Sequence, residues 1–414
     1  MSSPTPFPTA TRATAAPHLD GAPGAGERPA LVSWLAVLSL ALGIFSIVTT
    51  EILPIGLLTP IGDTFATSDG TSGLMMMLPG LLAAVAAPAV TVTTARVDRR
   101  RMLALLMAVL ALANLLAAWA PVYGVMMVSR VLVGFVIGAF WSIGVGLASR
   151  LVPPEQVGRA TAVIFSAVPL GSVLGVPAGT LLAQLAGWRW VFVAMGLLTL
   201  TVLVALLMTL PPLPPQQVTR LTVLRDLLRT GRVRAGIAVT FLIVTAHFGT
   251  YTYVTPFLAE VTHAGPGLVT GFLLAYGGAG VVGNFLGGAW VRRALRTTFA
   301  VAAALLASAT LLLPLLGTSR SAALVLLLVW GLAYGAVPVC SQTWFATAAP
   351  GAPEAASVLF TSSFQATMAV GALAGGTVVD ATSVSVVMVL GGIAAVLAAS
   401  AIAAVRKPLD LKAS

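Results

Sequence analysis

Twelve apolar runs of about 20 to 27 residues follow one another between Leu31 and Arg406, with polar gaps between them. They read as membrane spans over roughly 32–58, 73–95, 102–120, 123–148, 160–184, 190–211, 235–258, 268–290, 298–316, 321–345, 355–379 and 383–405. At a rise of 1.5 Å per residue, each is predicted to cross a hydrocarbon core of about 30 Å. The cationic side chains fall in alternate gaps: 19 Lys and Arg on one side, Arg189 and Arg320 on the other, and Arg130 within a span. Loops retained in the cytoplasm carry the excess of Lys and Arg. The pattern therefore predicts a multi-pass protein of the cell membrane with both termini and the long central gap cytoplasmic.

The gaps divide the chain into a tail (1–30), a six-span unit (31–211), a linker (212–234), a second six-span unit (235–406) and a short tail (407–414). The first tail, rich in Pro, Ala, Thr and Gly, is expected to be disordered. It is not read as a signal peptide, since it is weakly basic and the apolar run after it is too long. In the linker, Pro211, Pro212, Pro214 and Pro215 end span 6, and Leu221, Leu224, Leu227 and Leu228 then recur at helical spacing. Two readings stand there: a basic amphipathic helix on the inner leaflet, or a solvated connection.

The two units repeat one pattern. Arg96 recurs 196 residues later as Arg292, and Gly134-x-x-x-Gly138 recurs 197 later as Gly331-x-x-x-Gly335. Gly171-x-x-x-Gly175 recurs 200 later as Gly371-x-x-x-Gly375. With 41 glycines a single match means little, but three at nearly constant offset in corresponding spans predict a duplicated six-helix bundle. Such repeats are a transporter architecture, with the substrate bound between them near the midplane. The fold class is thus an all-α membrane protein of twelve helices in two pseudo-symmetric bundles.

Composition removes other classes. Apolar residues make up 58% and charged residues 8%, with mean hydropathy +1.01, whereas soluble proteins carry about 25% charge. The net charge of +10 is spread over successive loops, not gathered on one face, which argues against nucleic acid. Cys340 is the sole cysteine, so no intrachain disulfide forms. The sequence has no phosphate-cradling Gly-x-x-x-x-Gly-Lys-Ser/Thr loop and no His/Cys/Asp cluster at metal spacing. No cofactor, no metal and no enzymatic activity are expected.

Three strings carry a resemblance. Span 1 holds Thr49-Thr50-Glu51-x-x-Pro54-x-Gly56-Leu57-Leu58, and span 4 holds Arg130-Val-Leu-Val-Gly134. Span 5 holds Gly171-Ser-Val-Leu-Gly175-Val-Pro177-Ala-Gly179, followed by Gly187-Trp188-Arg189. Over residues 30 to 405 the chain resembles carriers of the major facilitator superfamily, in particular the twelve-span drug:proton antiporter and sugar-efflux group. The resemblance implies a small-molecule substrate, protons as coupling ion and a monomer in the bilayer. A Gly-x-x-x-Asp-Arg-x-Gly-Arg-Arg pattern is usual between spans 2 and 3 of that superfamily. It falls here on Thr91, Ala95, Arg96, Asp98, Arg99 and Arg100, without the glycines and the acid, so the inner gate is expected to use Asp98 and the arginines differently.

Glu51 is the leading candidate for proton coupling. A charge at bilayer depth costs about 2.5–3.5 kcal/mol on insertion scales, so such a residue is paired, faces water or gives up its charge. Arg130 lies at similar depth in span 4, and if spans 1 and 4 are neighbours, as the resemblance implies, the two can pair. A static structural pair is the alternative. His247 and Tyr251 in span 7, with Asn284 in span 8, are candidates for the substrate cavity. The plainer reading of His247 is a neutral ring bonded to a neighbouring carbonyl, and of Asn284, helix–helix glue. Gly171, Gly175 and Gly179 with Pro177 are expected to gate by letting span 5 approach a span of the other half, with tight packing alone as the alternative. Arg96, Asp98, Arg99 and Arg100 complete the gating candidates. Trp188 and Trp190 around Arg189 read as an interfacial anchor. Proton-driven export by alternating access is the favoured function. An importer or uniporter on the same fold is the alternative, and a membrane receptor or enzyme a more distant one.

Overall fold

The computed structural model describes residues 29–94, 97–143, 147–214 and 221–404. Arg96 and most of both tails lie outside the described residues, and so does the linker between 215 and 220. The described residues contain helices and no strand, and twelve segments are long and apolar enough to cross a membrane. Span 1 is Ala30–Phe65, followed by span 2 (Asp69–Thr93), span 3 (Arg99–Ala118), span 4 (Tyr123–Ile143), span 5 (Val157–Ala186) and span 6 (Trp188–Thr209). Gly231–Tyr251 and Val254–Glu260 together form span 7. A single helix, Pro266–Leu316, carries spans 8 and 9 and kinks between them at Ala294 (φ −151°, ψ 62°). Spans 10, 11 and 12 are Arg320–Ala348, Pro353–Ala381 and Val384–Ala404.

Span 1 is longer than its apolar run, because the helix continues through Pro54 and Pro60 to Phe65. Glu51 therefore lies fourteen residues from the helix end, about 21 Å, instead of the seven expected from the sequence. Span 7 breaks at Thr252–Tyr253. Pro256 explains the break: it has no N–H for the Thr252 carbonyl, and its ring crowds that carbonyl.

The recurring glycines mark equivalent helix contacts. A Cβ on Gly134 or Gly138 would strike the Pro79 and Ala83 carbonyls, so span 4 lies on span 2. One on Gly331 or Gly335 would strike the Tyr276 and Gly280 carbonyls, so span 10 lies on span 8. Likewise Gly171 and Gly175 admit Val48 and Thr49 of span 1, while Gly371 and Gly375 admit span 7 at Thr245 and Gly249. The same pairs, 4 on 2 and 5 on 1, thus recur as 10 on 8 and 11 on 7. Without aqueous driving force between helices, backbone approach of this kind holds a membrane bundle together.

The linker helix Leu221–Leu228 turns Leu224 and Leu227 onto Ala352, Ala355, Val358 and Leu359 around the start of span 11, while Arg225 and Arg229 stay exposed. Leu224 and part of Leu227 are thus covered by protein, while Leu228 remains 44% exposed.

Candidate functional site

The site begins with an orphaned carbonyl. Pro54 has no N–H to give the Thr50 carbonyl four residues earlier. Arg130, fully buried on span 4, donates to it from Nη1 at 3.0 Å. The guanidinium also leans over the Phe192 ring at 5.4 Å and donates weakly to Ser129 Oγ. The Asn114 amide of span 3 meets the Thr50 hydroxyl at 3.2 Å. Spans 1 and 4 are therefore neighbours, and Arg130 is anchored one residue from Glu51. Yet the two do not form an ion pair: the Glu51 carboxylate accepts from Gln365 Nε2 of span 11 at 2.7 Å.

Glu51 is 8% exposed and Gln365 5%, and their bond crosses from one bundle to the other. Tyr334 of span 10 lies within electrostatic reach of Glu51 and stacks on His247, ring centroids 3.3 Å apart. His247 in turn stacks on Tyr251 (5.1 Å), and Tyr251 on Tyr276 of span 8 (4.5 Å). Trp330 stands edge-on to these rings and its indole N–H donates to His247 Nδ1 at 3.1 Å. A neutral imidazole accepting at Nδ1 carries its proton on Nε2. His247 thus accepts from an indole at Nδ1, a partner the sequence did not suggest. The Tyr276 hydroxyl is buried without a partner among the described residues.

Glu51 and His247 stand 196 residues apart, the offset that separates Arg96 from Arg292. The two repeats therefore place an acid and a base at equivalent positions, and Tyr334 stacks on the base. That offset was the available signal for the pair. Trp330 and Tyr334 directly precede the repeated Gly331 and Gly335 but carry no charge at depth, and Gln365 lies in a run of Thr and Ser where a neutral amide does not stand out. Asn284 is partly buried on span 8, its backbone beside Gly335, and its side chain forms no hydrogen bond among the described residues.

The expected gating residues divide. Gly171, Gly175 and Gly179 face Val48, Thr49 and Leu53 of span 1, within their own bundle, because their open face is what lets span 5 seat there. Span 5 meets the other bundle through a different face. The Val173 carbonyl, freed of a donor by Pro177, lies against Gly277 of span 8, and Thr180 and Gln184 bond to Thr270 and Pro266. On the basic face Asp98 caps span 3, accepting from the Arg100 and Arg101 amides, and also accepts from Leu213 N at 2.7 Å. Arg99 donates to the Thr94 carbonyl and Arg100 to that of Leu207. These contacts tie the span 2–3 turn to the end of span 6. Trp188 packs inward against Phe65 and Phe192, and Trp190 is 59% exposed, as an interfacial residue should be.

The face opposite the arginines is closed by spans 2, 7 and 11. Gly73 leaves room for the buried Tyr253, whose hydroxyl donates to the Ala372 carbonyl at 2.8 Å, and Gly70 admits the backbone of Gly376. Asp380, at the end of span 11, accepts from Gly70 N (2.9 Å) and Ser68 Oγ (2.7 Å), capping span 2 from the other bundle. Hydrogen bonds to charged groups contribute about 1.5–3 kcal/mol. Asp380→Ala should therefore loosen this closure. The expected readout is a longer distance between spin labels on Leu185→Cys and Ser321→Cys, in a Cys340→Ala background. An unchanged distance distribution would show that Asp380 is not a latch.

A family model described as the Major Facilitator Superfamily matches residues 40–365. Among solved structures, the human organic anion transporter MFSD10 (TETRAN) is similar over 91% of this chain and 100% of its own, at 19% identity and TM-score 0.66. A bacterial homolog of the human lysosomal transporter Spinster, in an inward-facing and occupied conformation, is similar over 91% of this chain and 97% of its own, at 17% identity and TM-score 0.68. At these identities the likeness concerns the fold.

Proposed function

The chain belongs to the Major Facilitator Superfamily, and from that premise we propose that this membrane transporter couples inward proton movement to export of a small molecule. The orientation proposed is the one the arginines favour, with the basic face cytoplasmic. One observation carries the reading: a carboxylate buried where the two bundles meet, with an uncharged amide as its hydrogen-bond partner and, among the described residues, no cation paired with it. Ionised Glu51 at this place is almost wholly shielded from solvent and has no ion-pair partner among the described residues. Binding a proton, or a polar group of the substrate, removes that cost, so the two compete for one site. Arg130 is held one residue away on the Thr50 carbonyl, so its positive charge lies near the site without pairing with the carboxylate. The stacked rings of His247, Tyr251 and Tyr334 give the second bundle an aromatic cluster from which the partly exposed Tyr334 can meet a substrate. A drug-like, sugar-like or nucleoside-like compound fits this mixture of ring faces and hydroxyls.

Cells stripped of their own efflux pumps, expressing this protein and exposed to a panel of toxic compounds, should retain less of at least one of them. Collapsing the whole proton-motive force with a protonophore should restore retention. Export that persists after collapse would point to a uniporter instead.

A further inference from the structure

The bond between Gln365 and Glu51 sits at a particular place between the bundles. A Cβ on Gly80 of span 2 would lie 2.7 Å from the Gln365 carbonyl and 3.2 Å from Ala369 Cβ. Spans 2 and 11 therefore touch backbone to backbone at the residue whose side chain reaches Glu51. From there toward the face opposite the arginines, the bundles are joined by Tyr253 among Gly73 and Gly376, by Asp380 on span 2, and by Thr255 Oγ1 donating to the Ile55 carbonyl at 2.9 Å. None of those donors and acceptors changes when Glu51 binds a proton. The Gln365 bond does change, because its acceptor is the carboxylate itself.

We propose that Gln365 is the positioning residue through which the second bundle reads the protonation state of Glu51. The inference rests on Glu51 being the proton carrier. With Glu51 ionised, the amide N–H donates to a charged oxygen, and such bonds are about twice as strong as neutral ones. The bundles are then tied at the level of the site as well as beyond it. Once Glu51 is protonated the charge-assisted part of that tie is lost, and the bundles are freed to rock about the span 2–span 11 contact. The other ionisable groups near Glu51 are Arg130, which stays bonded to the Thr50 carbonyl, and Tyr334 of span 10. Among the described residues the only hydrogen bond of the Gln365 side chain is the one to Glu51. The Gln365 backbone packed against Gly80 and its 5% exposure hold the amide on the carboxylate. Proton binding at one residue is thereby converted into a change in the force between two rigid bodies, which alternating access requires.

The test needs no substrate. Spin labels on Glu155→Cys and Arg293→Cys, one on each bundle at the basic face, would be measured in the full-length protein in lipid, with Cys340→Ala. In the otherwise native chain, the ratio of short to long distances should change about tenfold between pH 8 and pH 6, as expected for a tie of charge-assisted strength. Gln365→Met, of similar volume and without a donor, should reduce that change to less than about twofold. Glu51→Gln should abolish it and fix the distribution near the low-pH form. If Glu51→Gln abolishes the pH response while Gln365→Met retains it in full, the role of Gln365 is refuted and that of Glu51 stands. If the response survives Glu51→Gln, or the native chain shows none, the Glu51 reading fails and takes this inference with it. Should Gln365→Met not fold, Gln365→Glu serves in its place. A second carboxylate beside Glu51 should separate the bundles at pH 8, and a distribution identical to the native one would refute the proposal.

Discussion

Glu51→Gln is expected to abolish concentrative transport while leaving exchange intact. The substitution keeps the shape of the side chain and an acceptor for Gln365, and removes only the ability to take up and release a proton. A proton moving inward yields about 2.3 kcal/mol per 100 mV, enough for one coupled proton to hold a substrate gradient of tens-fold. Without that coupling the steady-state gradient should fall to near unity. Preloaded vesicles should still exchange labelled for unlabelled substrate at a comparable rate, since the permanently neutral site can cross in both directions. The comparison is made with whichever compound of the toxic panel is exported, measuring net accumulation and exchange in the same vesicles. An unchanged gradient would remove Glu51 from the coupling mechanism. Loss of gradient and exchange together would instead make it a binding or structural residue.

Why Glu51 was legible in the sequence and Gln365 was not follows from the cost of burying each. An ionisable group within an apolar run of 27 residues departs from the composition around it by several kcal/mol, so its presence alone demands a reason. A neutral amide among threonines and serines departs by much less and leaves no mark. Arg130 was legible for the same reason as Glu51, but its expected partner was not the one found. The Thr50 carbonyl wins because Pro54 leaves it without a donor, a consequence of the spacing between the two residues that is written in span 1. The glycine repeats were legible as repeats, and the contacts they make, 4 on 2 and 5 on 1 repeated as 10 on 8 and 11 on 7, follow from the same need for backbone approach. Their sidedness was not legible. Periodicity places Gly171, Gly175 and Gly179 on one face of span 5 without saying which neighbour that face meets, and the neighbour is span 1 of the same bundle. The end of span 1 was misplaced because a helix can outrun its apolar stretch, here through residues 59–65, where Ile61 and Gly62 are buried and Asp63 and Thr64 are exposed.

Gly73 tests the closure on the face opposite the arginines more severely than Asp380 does. Its Cα sits against the Tyr253 ring, and a Cβ there would collide with the hydroxyl and lie 2.8 Å from Cζ. Tyr253 is fully buried and its hydroxyl is bound to Ala372 O, so it has nowhere to retreat. A larger residue at 73 therefore penalises the closed arrangement alone, because in an arrangement parted at this face the two surfaces no longer touch. Overpacking of a tight contact typically costs about 1–3 kcal/mol, and a side chain as large as leucine should exceed that. Gly73→Leu should accordingly trap the protein open at this face and reduce transport by at least about tenfold. In that variant a cysteine at Ala369, now 2% exposed, should react with a membrane-impermeant maleimide that does not label it in the parent, both in the Cys340→Ala background. Gly73→Ala should show the same effect more weakly. Adding Tyr253→Phe, which removes the colliding hydroxyl at the expense of one hydrogen bond, should recover part of the lost transport in the Gly73→Ala chain. Recovery by a second substitution that is itself destabilising separates a specific collision from general damage. If Tyr253→Phe only adds to the loss, the contact between spans 2 and 7 is not the seal.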